Sequence, residues 1–330
     1  MKNILNRLFN HETLSKDEAK NVLTNISTGN YNHCQIASFL TVYMMRSVSI
    51  EELSGFREAM LDLCIKIDLS AYNTIDLCGT GGDGKDTFNI STLSAFVAAG
   101  AGIKISKHGN YGVSSISGSS NVLENLGVKF SNNQNFLEKC IDQAGICILH
   151  APLFHPAMKN VASIRKDLGV KTFFNILGPM VNPSFPKNQL VGVFNLELAR
   201  IFAYLFQNTN TNFNILHSLD GYDEISLTGK TKSISNTKEI MLSSEDFGLQ
   251  KINQIAIQGG KTIEESAQMF INILSGKGTE AQNNVVSANA GIAIATVNNL
   301  DIKKGFELAK ESLLTGKGLE KFKKLKNLSI

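Results

Sequence analysis

Cysteine is scarce in this sequence, and what there is forms no pattern. Five occur in 330 residues (Cys34, Cys64, Cys78, Cys140 and Cys147), an odd number with no C-x-x-C pair. Neither a disulfide framework nor a zinc site is built from such spacing, and the five read as small core residues of a chain kept in a reducing compartment. An excess of charge of either sign is also missing. The balance of 32 basic and 29 acidic residues leaves +3, too little to mark a polyanion binder. The amino-terminal stretch Met1-Lys2-Asn3-Ile4-Leu5-Asn6-Arg7 has no apolar signal core. The uncharged, apolar-leaning run over residues 87–103 is broken by Asn89, Ser91, Thr92 and Ser94, which fits a buried helix and turn rather than a membrane span. No internal repeat or low-complexity tract occurs. Secreted, membrane, fibrous and disordered classes are all disfavoured, and the expectation is a cytoplasmic chain with no membrane or nucleic-acid partner.

What is present is 43% hydrophobic residues in a chain long enough for about two domains, at roughly 150 residues each. Such a length buries about three quarters of its unfolded surface and needs no staples. Residues 1–70 read as helices joined by polar turns. Ser15 with Glu18, and Ser49 with Glu52, have the spacing of helix-start capping boxes, and Ile36, Phe39, Leu40, Tyr43 and Met44 repeat at helical spacing. From residue 74 the pattern changes to alternating strands and helices. Strands are expected at 74–78, 103–105, 147–149, 189–194, 214–219 and 224–227. Helices are expected near 92–101, 121–126, 136–143, 196–207, 262–274 and 281–297. This alternation predicts an α/β unit with a mixed, mostly parallel sheet over 71–330, beside a small all-helical domain over 1–70. The proline-bearing segment 152–183 is expected to cross back, with part of 160–185 packing on the helical domain. The lysine-rich tail 317–326 reads as one solvated helix face.

Four segments carry residues suited to chemistry. Gly79-Thr80-Gly81-Gly82-Asp83-Gly84 follows a strand and shortly precedes a helix opening at Asn89-Ile90-Ser91-Thr92. Glycines let the backbone approach a ligand, and N–H groups of the turn and of the helix start suit an anion. The pattern matches neither G-x-G-x-x-G nor a P-loop, so neither a dinucleotide fold nor a P-loop NTPase is supported, and Ser91 and Thr92 are equally good as plain helix caps. Lys107-His108-Gly109-Asn110-Tyr111-Gly112-Val113-Ser114-Ser115, ending in Ser117-Gly118-Ser119-Ser120, places a cation, an imidazole, an amide and hydroxyls on a second loop. Alone it has even odds of being a polar surface loop. Two such loops at successive strand ends shift the balance, because ligands of α/β sheets gather there. Asp223-Glu224 offers two hard oxygen ligands of the kind Mg²⁺ takes, although adjacent carboxylates are common in solvated turns. Arg165, after His155-Pro156-Ala157-Met158-Lys159, offers a planar fork for a carboxylate, although most arginines are surface charges.

Together, GTGGDG-x-x-TFNIST, KHGN-x-x-VSS-x-SGS, HPAMK-x-V-x-x-x-R, FN-x-LGP-x-x-NP and DG-x-DE resemble the anthranilate phosphoribosyltransferase family in order and spacing, from about residue 1 to 297. The resemblance implies a fold of the nucleoside phosphorylase/phosphoribosyltransferase type and a homodimer formed through the helical part, with the site lying between the domains. It implies transfer of a phosphoribosyl group from phosphoribosyl pyrophosphate to anthranilate, with two Mg²⁺ ions and no fused amidotransferase domain. Residue by residue, Gly79, Gly82, Asp83, Thr87, Asn89, Ile90, Ser91 and Thr92 match positions holding phosphoribosyl pyrophosphate. So do Lys107, His108, Gly109, Asn110, Tyr111, Gly112, Val113, Ser114, Ser115 and Ser119. Ser91, Asp223 and Glu224 match the metal ligands, with Glu224 placed to touch both ions. Gly79, Asn110 and Arg165 match anthranilate contacts, with His108 and Pro179 nearby.

No residue is expected to act as an indispensable catalytic base, because an aromatic amine is already neutral at pH 7 and needs mainly positioning. Three positions depart from the family's pattern: Tyr111-Gly112 where Arg and a small residue are usual, Asn121 where an acid is common, and Lys171 in place of Arg. Three other readings stay open: a pyrimidine nucleoside phosphorylase, which needs no paired-metal Asp-Glu; a nucleic-acid-binding branch, which wants a basic face that +3 does not supply; and a degenerate, inactive copy, given Tyr111.

Overall fold

The computed structural model describes residues 1–112 and 117–329, so the expectations for Val113, Ser114 and Ser115 lie outside the described residues. The chain forms two compact units: Met1–Lys66 with Ala151–Pro183, and Ile67–His150 with Ser184–Ile330. The boundary falls at 66 rather than 70. Asp68 bonds into the second unit, its N–H donating to Gln134 Oε1 at 3.1 Å and its carbonyl accepting from Gln134 Nε2 at 2.6 Å. The segment from 151 to 183 does more than cross back, since all of it belongs to the first unit.

The first unit begins with helices Lys2–Phe9, Lys16–Ser27, His33–Met45 and Ile50–Leu63. Three of them open on reciprocal capping boxes, Ser15/Glu18, Asn32/Gln35 and Ser49/Glu52, each satisfying two otherwise orphaned N–H groups. The core is aromatic. Phe39, Tyr43 and Phe56 meet Phe173, which stacks on Phe56 at 4.4 Å and on Phe174 at 4.5 Å. Glu52 is fully buried beneath this cluster. It accepts from Arg46 at 2.6 and 2.9 Å, from the Tyr43 hydroxyl at 3.0 Å and from the Leu14 N–H at 3.0 Å.

The second unit is built on seven strands: β1 (Thr74–Gly79), β2 (Lys104–Gly109), β3 (Ile146–His150), β4 (Asn188–Gly192), β5 (Asn212–Ser218), β6 (Thr231–Ser235) and β7 (Glu239–Leu242). Their order is β3-β2-β1-β4-β5-β6-β7. The first five are parallel, and β6 and β7 add antiparallel pairs at one edge. β3 (Ile-Cys-Ile-Leu-His) reads as a nearly continuous apolar run, as a strand buried on both faces does, whereas β2 (Lys-Ile-Ser-Lys-His-Gly) and β5 (Asn-Phe-Asn-Ile-Leu-His-Ser) carry polar residues along theirs. The helix Ile90–Gly100 is nearly all buried against the sheet, between the helices Glu280–Asn298 and Lys317–Leu328. Strand order reverses at β1, whose neighbours are β2 on one side and β4 on the other, and a crevice opens at the carboxyl ends of strands at such a point.

The strand expected at 224–227 is absent. That backbone is held by side chains instead of a ladder: the Ser218 hydroxyl donates to the Glu224 carbonyl at 2.6 Å, Asn289 bonds both backbone groups of Ile225, and Leu227 has φ 58°. Cys34 is exposed, against the expectation of a core residue; Cys64, Cys140 and Cys147 are buried and Cys78 is half-buried. Among the described residues no helix is long and apolar enough to cross a membrane.

Candidate active site

The carboxyl edge of the sheet gathers residues that are far apart in the chain. β1 ends at Gly79 and pairs in register with Gly192, the last residue of β4. Both are glycine for a steric reason, because Asp223 packs onto them. A Cβ on Gly79 would overlap the Asp223 carboxylate, and one on Gly192 would overlap its backbone carbonyl. The turn after Gly79 then enters left-handed conformation at Gly81 (φ 62°) and Gly82 (φ 80°), which favours glycine. In that conformation the Gly81 N–H donates to Asp223 Oδ2 at 2.9 Å, tying the glycine turn to the acidic pair 142 residues away.

Two residues, Ser218 and Asn289, hold the backbone around Asp223 and Glu224 with four hydrogen bonds. The Ser218 N–H donates to the Tyr222 carbonyl at 3.0 Å and its hydroxyl to the Glu224 carbonyl. Asn289, 3% exposed on the helix Glu280–Asn298, accepts from the Ile225 N–H at 3.0 Å and donates to its carbonyl at 2.9 Å. Sequence reading missed Asn289 and Gly192, since nothing in their local sequence announces a partner 64 residues or one strand away.

Asp83 joins the pair. One carboxylate oxygen from each of Asp83, Asp223 and Glu224 lies within 4.8 Å of the others. Burial, and then the neighbouring Asp223 charge, pushes the Asp83 carboxyl up to about 6. The same two causes hold Glu224 well above the usual carboxylate range. Asp83 Oδ2 and Glu224 Oε2 are shielded from solvent and have no hydrogen-bond partner. Three like charges with orphaned oxygens are an unstable arrangement alone and a good one around a hard divalent cation. Ser91 lines the same small cavity as Asp223 and Glu224, of about 10 Å³, with Ser94 and Asn289. The metal set expected from the resemblance was Ser91, Asp223 and Glu224; the structure adds Asp83, which sequence reading had assigned only to the phosphoribosyl donor.

Beside this cluster the helix Ile90–Gly100 presents an uncapped N-terminus. Asn89 makes no side-chain cap and instead donates to the Ser117 carbonyl at 3.1 Å, and no acid occupies the first turn. Orphan N–H groups and the positive end of the helix dipole therefore face outward at Ser91. Ile90 and Thr92 are each 1% exposed, and the Ile90 N–H already donates to the Phe88 carbonyl at 2.6 Å. Thr87 is pinned by a bridge to Gln258.

Lys107, 2% exposed near the end of β2, donates to the Leu77 carbonyl and, at 3.5 Å, to the Ser91 hydroxyl. Burial holds its ammonium below the usual value, while Asp76 opposes that shift. The His108 N–H donates to Asp76 at 3.0 Å. Gly109 faces Ser119, whose hydroxyl would lie 2.6 Å from a Cβ there and donates to the Asn110 carbonyl at 3.3 Å. The second loop is fixed at its two flanks by Asn121. Its side-chain oxygen accepts from the Gly112 N–H at 2.9 Å and from the Gly118 N–H at 3.0 Å. Tyr111 points its hydroxyl to Glu124, at 3.3 and 3.4 Å, and its ring edge to His150.

Arg165 stands in the first unit, on the helix Lys159–Leu168. Its guanidinium lies 5.3 Å over the Phe174 ring and donates to Asn175 Oδ1 at 3.3 Å, and that oxygen also accepts from the Thr172 N–H. Among the described residues it has no carboxylate partner, so it is a half-buried, oriented fork with its anion-binding capacity unspent.

A glycine turn, an open helix end and three carboxylates meet at a strand-order reversal, an arrangement suited to an enzyme that handles an oxygen-rich anion with a divalent metal. The comparisons specify the class. Residues 71–319 match the model of the glycosyl transferase family, a/b domain, and residues 2–64 that of the glycosyl transferase family, helical bundle domain. An anthranilate phosphoribosyltransferase of Flavobacterium psychrophilum is 79% identical over the whole of both chains. The crystal structure of the Thermus thermophilus anthranilate phosphoribosyltransferase superposes with a TM-score of 0.91 at 30% identity, covering 98% of each chain. The Saccharomyces cerevisiae enzyme, in complex with PRPP and Mg, superposes at 0.90 and 28% identity, covering 98% of this chain and 96% of the other. The chain belongs to the anthranilate phosphoribosyltransferase family.

Proposed function

We propose that the carboxyl edge of the sheet is the donor site of a phosphoribosyl transfer and that Arg165 takes the acceptor's carboxylate. The reaction is that of the family. The chain transfers the phosphoribosyl group of 5-phosphoribosyl 1-pyrophosphate to the amine of anthranilate, giving N-(5-phosphoribosyl)anthranilate and pyrophosphate, the second step of tryptophan biosynthesis from chorismate. The observation that carries the site is the convergence of the glycine turn, the open helix end and the carboxylates of Asp83, Asp223 and Glu224 on one edge.

Magnesium suits these residues, since every donor is a hard oxygen and two of those oxygens are buried without partners. We assign Asp83, Asp223, Glu224 and Ser91 to two ions. Bound there, magnesium neutralises charge that grows on the departing pyrophosphate. The helix end at Ser91 and Thr92 supplies N–H groups to the phosphates, and Lys107 supplies a fixed positive charge beneath them. Gly79, Gly82, Thr87, Asn89, His108, Gly109, Asn110, Tyr111, Gly112 and Ser119 complete the donor contacts. For the acceptor, the Arg165 fork takes the carboxylate, and Gly79 and Asn110 contact the rest. The nucleophile is a neutral aromatic amine, so positioning supplies most of the acceleration, up to roughly 7–11 kcal/mol, and no side chain serves as an obligatory base. We further propose a cytoplasmic homodimer formed through the helical unit, as the family's pattern implies.

The test is loss of anthranilate fluorescence on mixing the protein, phosphoribosyl pyrophosphate and Mg²⁺, each omitted in turn. Loss that requires all of them is the expected result. Loss that persists without phosphoribosyl pyrophosphate or the metal, or no loss at all, overturns the reading.

A further inference from the structure

Lys85 follows the glycine turn by one residue and is the side chain there whose position the site has not yet explained. Its N–H donates to Asp83 Oδ1 at 3.1 Å, which fixes its backbone against the three-carboxylate cluster. Its ammonium does not go to those carboxylates. It lies 4.8 Å over the ring of Tyr222, the residue before Asp223, and the side chain passes 3.2 Å from where a Cβ on Gly221 would stand. Among the described residues Lys85 forms no ion pair, although its charge is close enough to be felt at Asp83. Tyr222 is 3% exposed, so the ring is a fixed platform rather than a loose neighbour. A cation on a tyrosine face keeps most of its donor capacity, because the contact is electrostatic and uses no directed hydrogen bond.

We propose that Lys85 is a second diphosphate-binding cation of this site, held on Tyr222 until the substrate arrives and then donating to the pyrophosphate group of the phosphoribosyl donor. This rests on the function proposed above. The geometry favours an anion held by metal over one held by protein alone. Lys85 is half-buried and its backbone is tied to Asp83, whereas Lys107 is buried with two of its donors engaged. Lys85 therefore keeps donors to offer an anion, where Lys107 has already committed two of its own. A cation in that place has opposite effects on the two ligands of the site. It repels a bare divalent ion and attracts a diphosphate.

The experiment uses that difference in sign. Lys85→Met is titrated calorimetrically with Mg²⁺ alone and then with pyrophosphate in saturating Mg²⁺, beside the unaltered protein and Lys85→Arg. The expected result is pyrophosphate binding weakened by about 10- to 100-fold, Mg²⁺ binding unchanged or tightened, and recovery of most of the loss in Lys85→Arg. In turnover, the KM for phosphoribosyl pyrophosphate rises in step while that for anthranilate stays. Equal weakening of Mg²⁺ and pyrophosphate binding would indicate a damaged loop and overturn the proposal, as would pyrophosphate binding that Lys85→Met leaves intact. If the unaltered protein binds Mg²⁺-pyrophosphate but turns over no anthranilate, the function reading fails while the lysine's role is still decided by the titration.

Discussion

Glu224→Gln should stabilise the metal-free protein while weakening its response to Mg²⁺. The oxygens of Asp83, Asp223 and Glu224 lie within 4.8 Å of one another. Two unit charges at that separation, in an effective dielectric of about 20, repel by about 3.5 kcal/mol. Proton uptake relieves part of this, as the raised positions of the Asp83 and Glu224 carboxyls indicate. What remains for glutamine to remove is on the order of 1–3 kcal/mol. The amide is isosteric and can donate toward Asp223, so packing is preserved. Thermal unfolding in chelator should therefore move up by a few degrees, about 2–4 °C for each kcal/mol in a domain of this size. Added Mg²⁺ acts in the other direction. The unaltered protein gains stability as the logarithm of metal over its dissociation constant, and the variant, missing one ligand and one charge, gains less. The two melting curves should converge or cross as Mg²⁺ rises. A variant less stable than the parent in chelator, with the same Mg²⁺-dependent gain, would show that these carboxylates neither repel one another nor hold the metal.

Arg165→Ala should raise the KM for anthranilate at least about tenfold, through loss of a charge-assisted pair, with little change for phosphoribosyl pyrophosphate; equal changes in both would remove its assigned role. Glu52→Ala leaves the Arg46 guanidinium, the Tyr43 hydroxyl and the Leu14 N–H without their shared acceptor, and should cost about 3–5 kcal/mol of stability in denaturant titration. A loss below about 1 kcal/mol would mean that water replaces the carboxylate. Glu18 pairs with Arg7 and caps Ser15, which hold its carboxyl down at about 2. The folded value is below the unfolded one, so its stabilisation is present above the ordinary carboxylate range and is lost as pH falls toward 2. Glu18→Gln should flatten the acid-unfolding curve over that interval, and an unchanged curve would show the pair contributes nothing in solution.

How much of this was legible in the sequence depends on whether the cause of a feature is local. Capping boxes at Ser15 and Ser49 were, because donor and acceptor stand three residues apart. β1, β3, β4 and β5 were, to within a few residues, from their apolar centres, but β2 was expected at 103–105 and runs to Gly109, so Lys107 and His108 stand on a strand rather than on the loop. β6 and β7 were missed, since Thr-Lys-Ser-Ile-Ser and Glu-Ile-Met-Leu at an antiparallel edge are too short and too mixed to read as strands. The strand expected at 224–227 failed for the opposite reason. Glu-Ile-Ser-Leu has strand-like apolarity, but Asn289 and Ser218 claim its backbone and turn it into the support of the acidic pair.

The site divides in the same way. Glycines, carboxylates and the KHGN loop announce themselves by residue type. The reason Gly79 and Gly192 must lack side chains is Asp223, and no window of sequence contains all three. Asn121 shows how this bears on the departures from the family's pattern. A neutral amide there accepts from two N–H groups, at Gly112 and Gly118, with an oxygen that an acid would also offer. The exchange keeps the acceptor for both N–H groups and drops the charge. Asn121 stands on the helix Ser119–Asn125, and with Tyr111 in place of a cation the two departures remove one charge of each sign, so that each is better understood beside the other than alone.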